Sequence, residues 1–291
     1  MKKTLRQLLA EPGIIMAPGC FDALTARVIQ DVGFNCCYLG GYAMGSSNCL
    51  TEPLMTMSEV VKAAEYVTDA IDIPLIVDAG AGFGDATQIM RAVYEFKKVG
   101  VSGIHIEDQY FPKRCHYHAG YMEVIPREDM IAKIKAAVKA RGDDDFVIIA
   151  RTDSRNAYNG GKEEWMERCK MLKDAGADVI MPYATCAQSK EEAREIYDYI
   201  QAPMLYVGSE GRPQYPKLSA KEIEEAGFKI VVYNAISTFF MMNTLYDNMK
   251  HLYEYGDSGF SHEEFKPVRE RIERLVGLDE KYAIEKEFNQ M

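Results

Sequence analysis

Apolar residues along this chain gather into short runs, each entered through a glycine that closes a helix-like stretch. The segments DVGFNCCYLGG (31–41), KVGVSGIHIED (98–108), DAGADVIMP (174–182) and EAGFKIVVY (225–233) share this grammar. Glycine adopts the left-handed conformation that ends a helix, so each marks a helix-to-strand junction. The runs that follow are apolar at consecutive positions, as in a parallel strand covered on both faces. Four more runs fit between them: GIIMAP (13–18), IPLIVDAG (73–80), DFVIIARTD (145–153) and APMLYVGSE (202–210). Helix-period segments separate most of the runs, among them 127–141, 162–176 and 85–99, the last with Ile89, Val93 and Phe96 along one face. Eight alternating β and α units predict an α/β protein of the (β/α)8 TIM-barrel type. An open doubly wound sheet is the alternative; the strand count and the lack of a GxGxxG turn after the first run weigh against it.

Beyond residue 236 come the apolar-striped stretches STFFMMNTLYDNMKHLYEYG, SHEEFKPVRERIERLVG and DEKYAIEKEF, more helix than one closing element needs. The expectation is a single barrel domain over 1–291 whose residues 237–291 form oligomerisation helices, exchanged between subunits.

The 291 residues carry a net charge of −10, which disfavours nucleic acid and anionic membrane as partners. An anionic substrate then requires a local cationic pocket. No run approaches the roughly 20 apolar residues of a membrane span, and the apolar part of MKKTLRQLLAEPG is too short for a secretory signal. Seven cysteines (Cys20, Cys36, Cys37, Cys49, Cys115, Cys169, Cys186) form no CxxC pair. They argue against a disulfide scaffold or a structural zinc and for a reducing, cytoplasmic setting in which most are buried.

In such a barrel, chemistry resides at the C-terminal ends of the strands. These ends present Asp22, then Tyr38 with Gly40 and Gly41, Asp78, Glu107 with Asp108, Arg151 with Asp153, Tyr183, Ser209 with Glu210, and Asn234. Asp78 and Glu107 follow adjacent runs and suit a hard cation such as Mg²⁺, which takes few protein ligands and keeps its waters. The competing reading has each carboxylate capping the next helix or pairing with Arg151. The glycine-rich DAGAGFGDA (78–86) lacks the Lys-Ser/Thr ending of a phosphate loop.

The stretch HIEDQYFPKRCHYHAG (105–120) crowds acids, cations, a thiol and imidazoles together. His105 is assigned to the strand interior, and His251 and His262 to helix surfaces. For His116 and His118, on a polar loop, a ligand or acid/base role and a solvated one stay equally open. Zinc held by Cys115, His116 and His118 is disfavoured because one short loop rarely completes a tetrahedron. A Cys–His hydrolase is disfavoured because no oxyanion-hole turn surrounds Cys115.

The pieces APGCFDALTARVIQDVGFNCCYLGGYAMGSS, VDAGAGFGDA, GIHIEDQYFPKRC, DFVIIARTD, AGADVIMP and NAISTFFMMN span residues 17 to about 243 in order. Together they resemble the isocitrate lyase/phosphoenolpyruvate mutase superfamily, nearest to its small bacterial lyases for 2-methylisocitrate and 2,3-dimethylmalate. The resemblance implies a homotetrameric barrel (a dimer of dimers) that uses Mg²⁺, or Mn²⁺, to cleave a 2-hydroxy di- or tricarboxylate into pyruvate or another 2-oxo acid plus a carboxylic acid. By position, Asp78 and Glu107 would hold the metal, mostly through water. Tyr38, Gly40 and Gly41 would line the substrate carboxylate pocket, and Arg151 would fix the reacting end. Lys113 and Cys115 would ride a closing loop, with Cys115 as the acid that protonates the departing carbanion.

This chain departs from the lyase pattern at Gly80, Thr51, Tyr183 and Val207, positions that are usually polar or acidic, and in Cys115-His116-Tyr117-His118, where Cys-Gly-His is usual. An acid expected near Thr51 would have to come from Glu52. The alternatives are an oxaloacetate decarboxylase or hydrolase or a phosphonopyruvate-type mutase or hydrolase of the same superfamily, and an inactive barrel kept as a binding or scaffold protein.

Overall fold

The computed structural model describes residues 3–183, 189–213 and 215–289. Its eight strands are β1 (Ile15–Cys20), β2 (Cys37–Leu39), β3 (Leu75–Asp78), β4 (Gly103–Glu107), β5 (Val147–Thr152), β6 (Val179–Pro182), β7 (Leu205–Val207) and β8 (Ile230–Tyr233). Helices α1 (Leu5–Ala10), α2 (Ala23–Val32), α3 (Gly41–Ser47), α4 (Met57–Ala70), α5 (Ala86–Lys98) and α6 (Arg127–Arg141) belong to the first half. Then follow α7 (Lys162–Asp174), α8 (Lys190–Ile200), α9 (Ala220–Glu225), α10 (Ile236–Tyr255), α11 (His262–Leu275) and α12 (Leu278–Phe288).

All eight apolar runs became strands, and the four junction glycines Gly33, Gly100, Gly176 and Gly227 have φ of +109°, +80°, +98° and +103°. The sheet runs β6-β5-β4-β3-β2-β1-β8-β7, every paired neighbour parallel. Its free edges meet where Ile180 N–H donates to Pro203 O at 2.9 Å and Ile180 bridges to Met204. The doubly wound alternative is thereby excluded. Capping follows the sequence locally: Asp22 with Thr25 and Thr56 with Glu59 form reciprocal boxes at α2 and α4, and Asp85 caps α5.

Side-chain parity divides the core into two layers. Leu75, Val77, Ile104, Ile106, Ile148, Ala150, Ile180 and Val231 pack in the layer shared with the helices. Ile76, Val147, Ile149, Val179, Met181, Leu205, Ile230 and Val232 form a second cluster, joined by Leu5 and Leu8 of α1. Successive side chains on a strand alternate faces, so the inner set continues upward into Asp78, His105 and Glu107, Arg151 and Asp153, and Tyr183.

The chain divides into two units, Met1–Ser237 and Thr238–Met291. In the second, α11 packs on α12, and Phe265, Val268 and Ile272 stand 46%, 45% and 45% exposed at helical spacing. Among the six described cysteines, Cys20, Cys36, Cys37 and Cys169 are buried and Cys49 and Cys115 exposed, all as free thiols. Cys186 lies outside the described residues.

Candidate active site

Four adjacent strand ends supply the polar floor. Asp78 ends β3, with one oxygen accepting the Gly41 N–H at 3.0 Å and the other the Gly80 N–H at 2.9 Å. Gly41 has to be glycine here: a Cβ would lie 2.5 Å from Glu52 Cγ and 2.9 Å from Asp78 Oδ2. Gly40 caps α3 and is buried against Tyr38, where a Cβ would lie 2.7 Å from the phenol ring. Burial alone would raise the Asp78 pKa, but His105, Lys113, Arg151 and the Gly80 N–H overcome it and hold the group at about 2.

His105 of β4 is fully buried, with Nε2 2.7 Å from the Tyr38 hydroxyl and 3.4 Å from Asp78 Oδ1. Burial, against the pull of Asp78, lowers its pKa to about 4, so the imidazole is neutral at pH 7. Burial and then the Asp78 charge push the Tyr38 phenol well above its ordinary value.

Glu107, also fully buried, lies between two cations: Lys113 Nζ at 2.9 Å and Arg151 Nη1 at 3.0 Å. Both contacts are ion pairs, and neither Glu107 oxygen receives a hydrogen bond. Burial drives this carboxyl up to about 7 despite Arg151 and Lys113. Lys113 also pairs with Glu52, and its ammonium is held above the ordinary value because Glu107 and Glu52 outweigh the cost of burial. Arg151 completes a fork onto Asp153, Nη2 to Oδ1 at 3.1 Å and Nε to Oδ2 at 3.2 Å, and Gln109 donates to the same carboxylate at 3.0 Å. Asp108 has the opposite parity and leaves the site: it accepts from Thr152 Oγ1, the Asp153 N–H and Arg168.

Lys113 comes from the segment between β4 and α6, and it is buried although residues 110–112 and 114–116 around it are exposed. The base of this segment is pinned by the antiparallel bridge Gln109–Val124 and by Asn159, whose side chain exchanges two hydrogen bonds with the Val124 backbone. Its tip is the short turn Cys115–Ala119. Cys115 and His116 are exposed there, and His118 Nε2 lies 2.9 Å from Thr51 Oγ1. Tyr38, Asp78, Glu107, Lys113 and Arg151 are thus brought together, whereas Cys115, His116 and His118 stand at the surface.

Sequence reasoning placed His105 in the strand interior and missed its place in the site. Its parity with Glu107 was the available signal. Glu52, named only as a substitute for Thr51, is the acid that reaches Lys113. Gln109 gave no separate signal.

Among the described residues, no cluster of three or more His, Cys, Asp or Glu is spaced to cage a metal unaided. The donor set still fits a hydrated hard cation. Four carboxylates (Glu52, Asp78, Glu107, Asp153) face two cations (Lys113, Arg151), and the two Glu107 oxygens are buried without a hydrogen bond. A small pocket of about 40 Å³ opens beside Asp78 and Lys113, bordered by Gly41, Glu52, Asp78, Gly80, Phe111 and Lys113.

A closed parallel barrel with buried, mutually perturbed ionisable groups at its strand ends defines a barrel enzyme. The family model described as Phosphoenolpyruvate phosphomutase matches residues 5–253. The chain is 38% identical over 246 residues to 2,3-dimethylmalate lyase of Eubacterium barkeri, covering 84% of this chain and 83% of that protein. It is also 38% identical over 237 residues to 2-methylisocitrate lyase of Aeropyrum pernix, covering 81% and 74%. A solved phosphonopyruvate hydrolase in complex with oxalate and Mg²⁺ superposes with a TM-score of 0.85 at 25% identity, over 98% of this chain and 97% of that one. The chain belongs to the PEP mutase/isocitrate lyase superfamily.

Proposed function

We propose that this chain is a Mg²⁺-dependent carbon–carbon lyase that cleaves a 2-hydroxy di- or tricarboxylate to pyruvate or another 2-oxo acid plus a carboxylic acid. The observation that carries the reading is the buried Glu107 carboxylate, without a hydrogen bond although Lys113 and Arg151 lie within 3.0 Å, one strand from Asp78. Asp78 and Glu107 would hold the cation, which supplies electrostatic stabilisation of a substrate oxyanion. Mn²⁺ is the natural substitute.

Arg151 orients the reacting end and offsets charge that develops there. The substrate hydroxyl gives its proton to Tyr38 Oη while Tyr38 passes its own to His105 Nε2, in the tautomer that carries the imidazole proton on Nδ1. The C–C bond then breaks: its electron pair leaves with the departing carbanion as the hydroxyl carbon becomes a carbonyl. Cys115 donates the proton that quenches the carbanion, which requires the exposed turn Cys115–Ala119 to close over the site. The superfamily relatives named as lyases support the reaction class.

The test is pyruvate release from a panel of 2-hydroxy di- and tricarboxylates, with and without Mg²⁺. EDTA should abolish turnover, and Cys115→Ser should lower kcat by at least about a hundredfold, the upper range of single acid/base groups nearing 10⁴. Turnover of oxaloacetate or phosphonopyruvate instead would move the reading to a hydrolase or mutase. Absence of both metal binding and turnover would leave a binding protein.

We further propose that Thr238–Met291 supplies interface helices of a cytosolic homotetramer. The exposed stripe Phe265, Val268 and Ile272 supports this. No helix of the described residues is long and apolar enough to cross a membrane. The double substitution Phe265→Asp/Ile272→Asp should shift the mass measured by light scattering from the tetramer toward the 32.9 kDa chain. A wild-type protein that already elutes as a monomer would rule the interface out.

A further inference from the structure

Of the lysines on α6, Lys135 and Lys139 are exposed, whereas Lys133 is only 7% exposed. Among the described residues Lys133 makes no ion pair, and its ammonium donates one hydrogen bond, to Ala81 O at 3.0 Å. Lysine is almost never buried without a paired charge. Burial lowers the pKa of this one against the opposing pull of Glu107, Asp108, Asp129 and Asp85. Burying an ammonium against a single carbonyl costs stability, and what that carbonyl belongs to gives the placement its meaning.

Ala81 stands in the turn that leaves β3. Backbone φ there is +51° at Gly80, +79° at Gly82, +60° at Phe83 and +150° at Gly84. Such values suit glycine but strain a bulky residue such as Phe83, and the strain persists only where surrounding contacts over-determine it. The Ala81–Gly82 peptide unit is held at both ends: its carbonyl accepts from Lys133, and its N–H donates to Ala79 O at 2.9 Å. Next to it, the Gly80 N–H donates to Asp78 Oδ1 at 2.9 Å and the Gly80 carbonyl accepts the Glu107 N–H at 2.9 Å. The turn ties Asp78 to the end of β4, and Lys133 ties the turn to α6.

Removing the ammonium would leave the buried Ala81 carbonyl without its donor. The peptide unit would then rotate toward another partner, relieving the strain at Phe83 and loosening both Gly80 bonds. The consequence for a bound cation has a telling sign. The Lys133 charge and the Glu107 carboxylate influence one another, so deleting that charge should by Coulomb's law tighten cation binding. A loss of affinity on deletion reports lost positioning instead.

We propose that Lys133 is a positioning residue for the site: its hold on the Ala81 carbonyl fixes the turn over 80–84 and so aligns Asp78 with Glu107 for a shared cation. The cation rests on the lyase reading; the hold on the turn does not.

The test compares the full-length wild type with Lys133→Met and Lys133→Arg by Mn²⁺ titration and by hydrogen exchange read in peptides. Lys133→Met should weaken Mn²⁺ binding by roughly ten- to hundredfold, the usual effect of losing a group that orients metal ligands. Exchange should quicken in peptides spanning 78–84 and 105–109 and stay at the wild-type rate in β7 and β8. Lys133→Arg, which keeps a cationic donor, should retain most of the affinity and the protection. If Lys133→Met does not fold, Lys133→Gln, shorter and uncharged, takes its place with the same expected losses. Mn²⁺ binding that is unchanged or tighter without the ammonium, or exchange that quickens evenly across the barrel, overturns the assignment. Failure of the wild type to bind Mn²⁺ counts against the lyase reading, and exchange over 78–84 and 105–109 still decides Lys133.

Discussion

Replacing Arg151 with methionine is expected to abolish turnover and to cost about 3–5 kcal/mol of folding stability, the usual penalty for removing one partner of a buried ion pair. Arg151 is 4% exposed and faces Glu107 and Asp153, both fully buried. Methionine fills similar length without charge, leaving two carboxylates to share Lys113 and Gln109. The loss also has a sign with pH. Glu107 already titrates at about 7, raised from 4.5 chiefly by burial. A carboxyl raised in the folded state contributes stability that is full below its unfolded value and lost as pH rises through the folded value. Without Arg151 that loss extends to higher pH, so the variant should recover part of its deficit at pH 5.5 relative to pH 8.5. Arg151→Lys keeps charge but not the fork onto Asp153, and should fall between. The check is calorimetric melting at both pH values beside kcat. A Tm equal to wild type at pH 8.5 would contradict the buried-pair account.

Asp78→Asn should lower kcat by roughly a hundred- to thousandfold, in the range of losing one electrostatic stabiliser of a transition state. Cation affinity, read by Mn²⁺ binding, should fall by at least about tenfold. The carboxylate accepts backbone N–H groups at both oxygens. An asparagine amide nitrogen accepts neither, so one buried donor is orphaned at about 1–3 kcal/mol. The pH sign is opposite to that of Glu107. Asp78 is depressed from 3.8 to about 2, so its stabilising contribution is present above pH 3.8 and lost as pH falls toward 2. The stability gap between wild type and variant should therefore narrow in acid. A gap that widens below pH 4, or unchanged Mn²⁺ affinity, would remove Asp78 from its assigned place.

The barrel was legible because its signals are local. Junction glycines at 33, 100, 176 and 227 and consecutive apolar residues are properties of a few neighbouring positions. The same strand-end logic named Tyr38, Asp78, Glu107 and Arg151, since a polar residue directly after a buried run has few other places to go. Parity was underused. It separates His105 and Glu107, which face inward, from Asp108, which accepts from Thr152 and Arg168 on the helix side. Residues delivered by loops were less legible. Glu52 comes from a turn after α3, and Lys113 dips inward from an exposed segment.

By itself, then, the sequence determined eight parallel strands, the level at which the chemistry lies and the residue types available there, because apolar periodicity and helix-ending glycines act over one turn or one strand. Only the tertiary structure decided the partnerships. It set Lys113 between Glu52 and Glu107, Tyr38 against His105 and Tyr183 against Arg151. The pKa values of Asp78, His105 and Glu107 follow from those partnerships and from burial, through-space quantities set by closing the barrel and not by spacing along the chain.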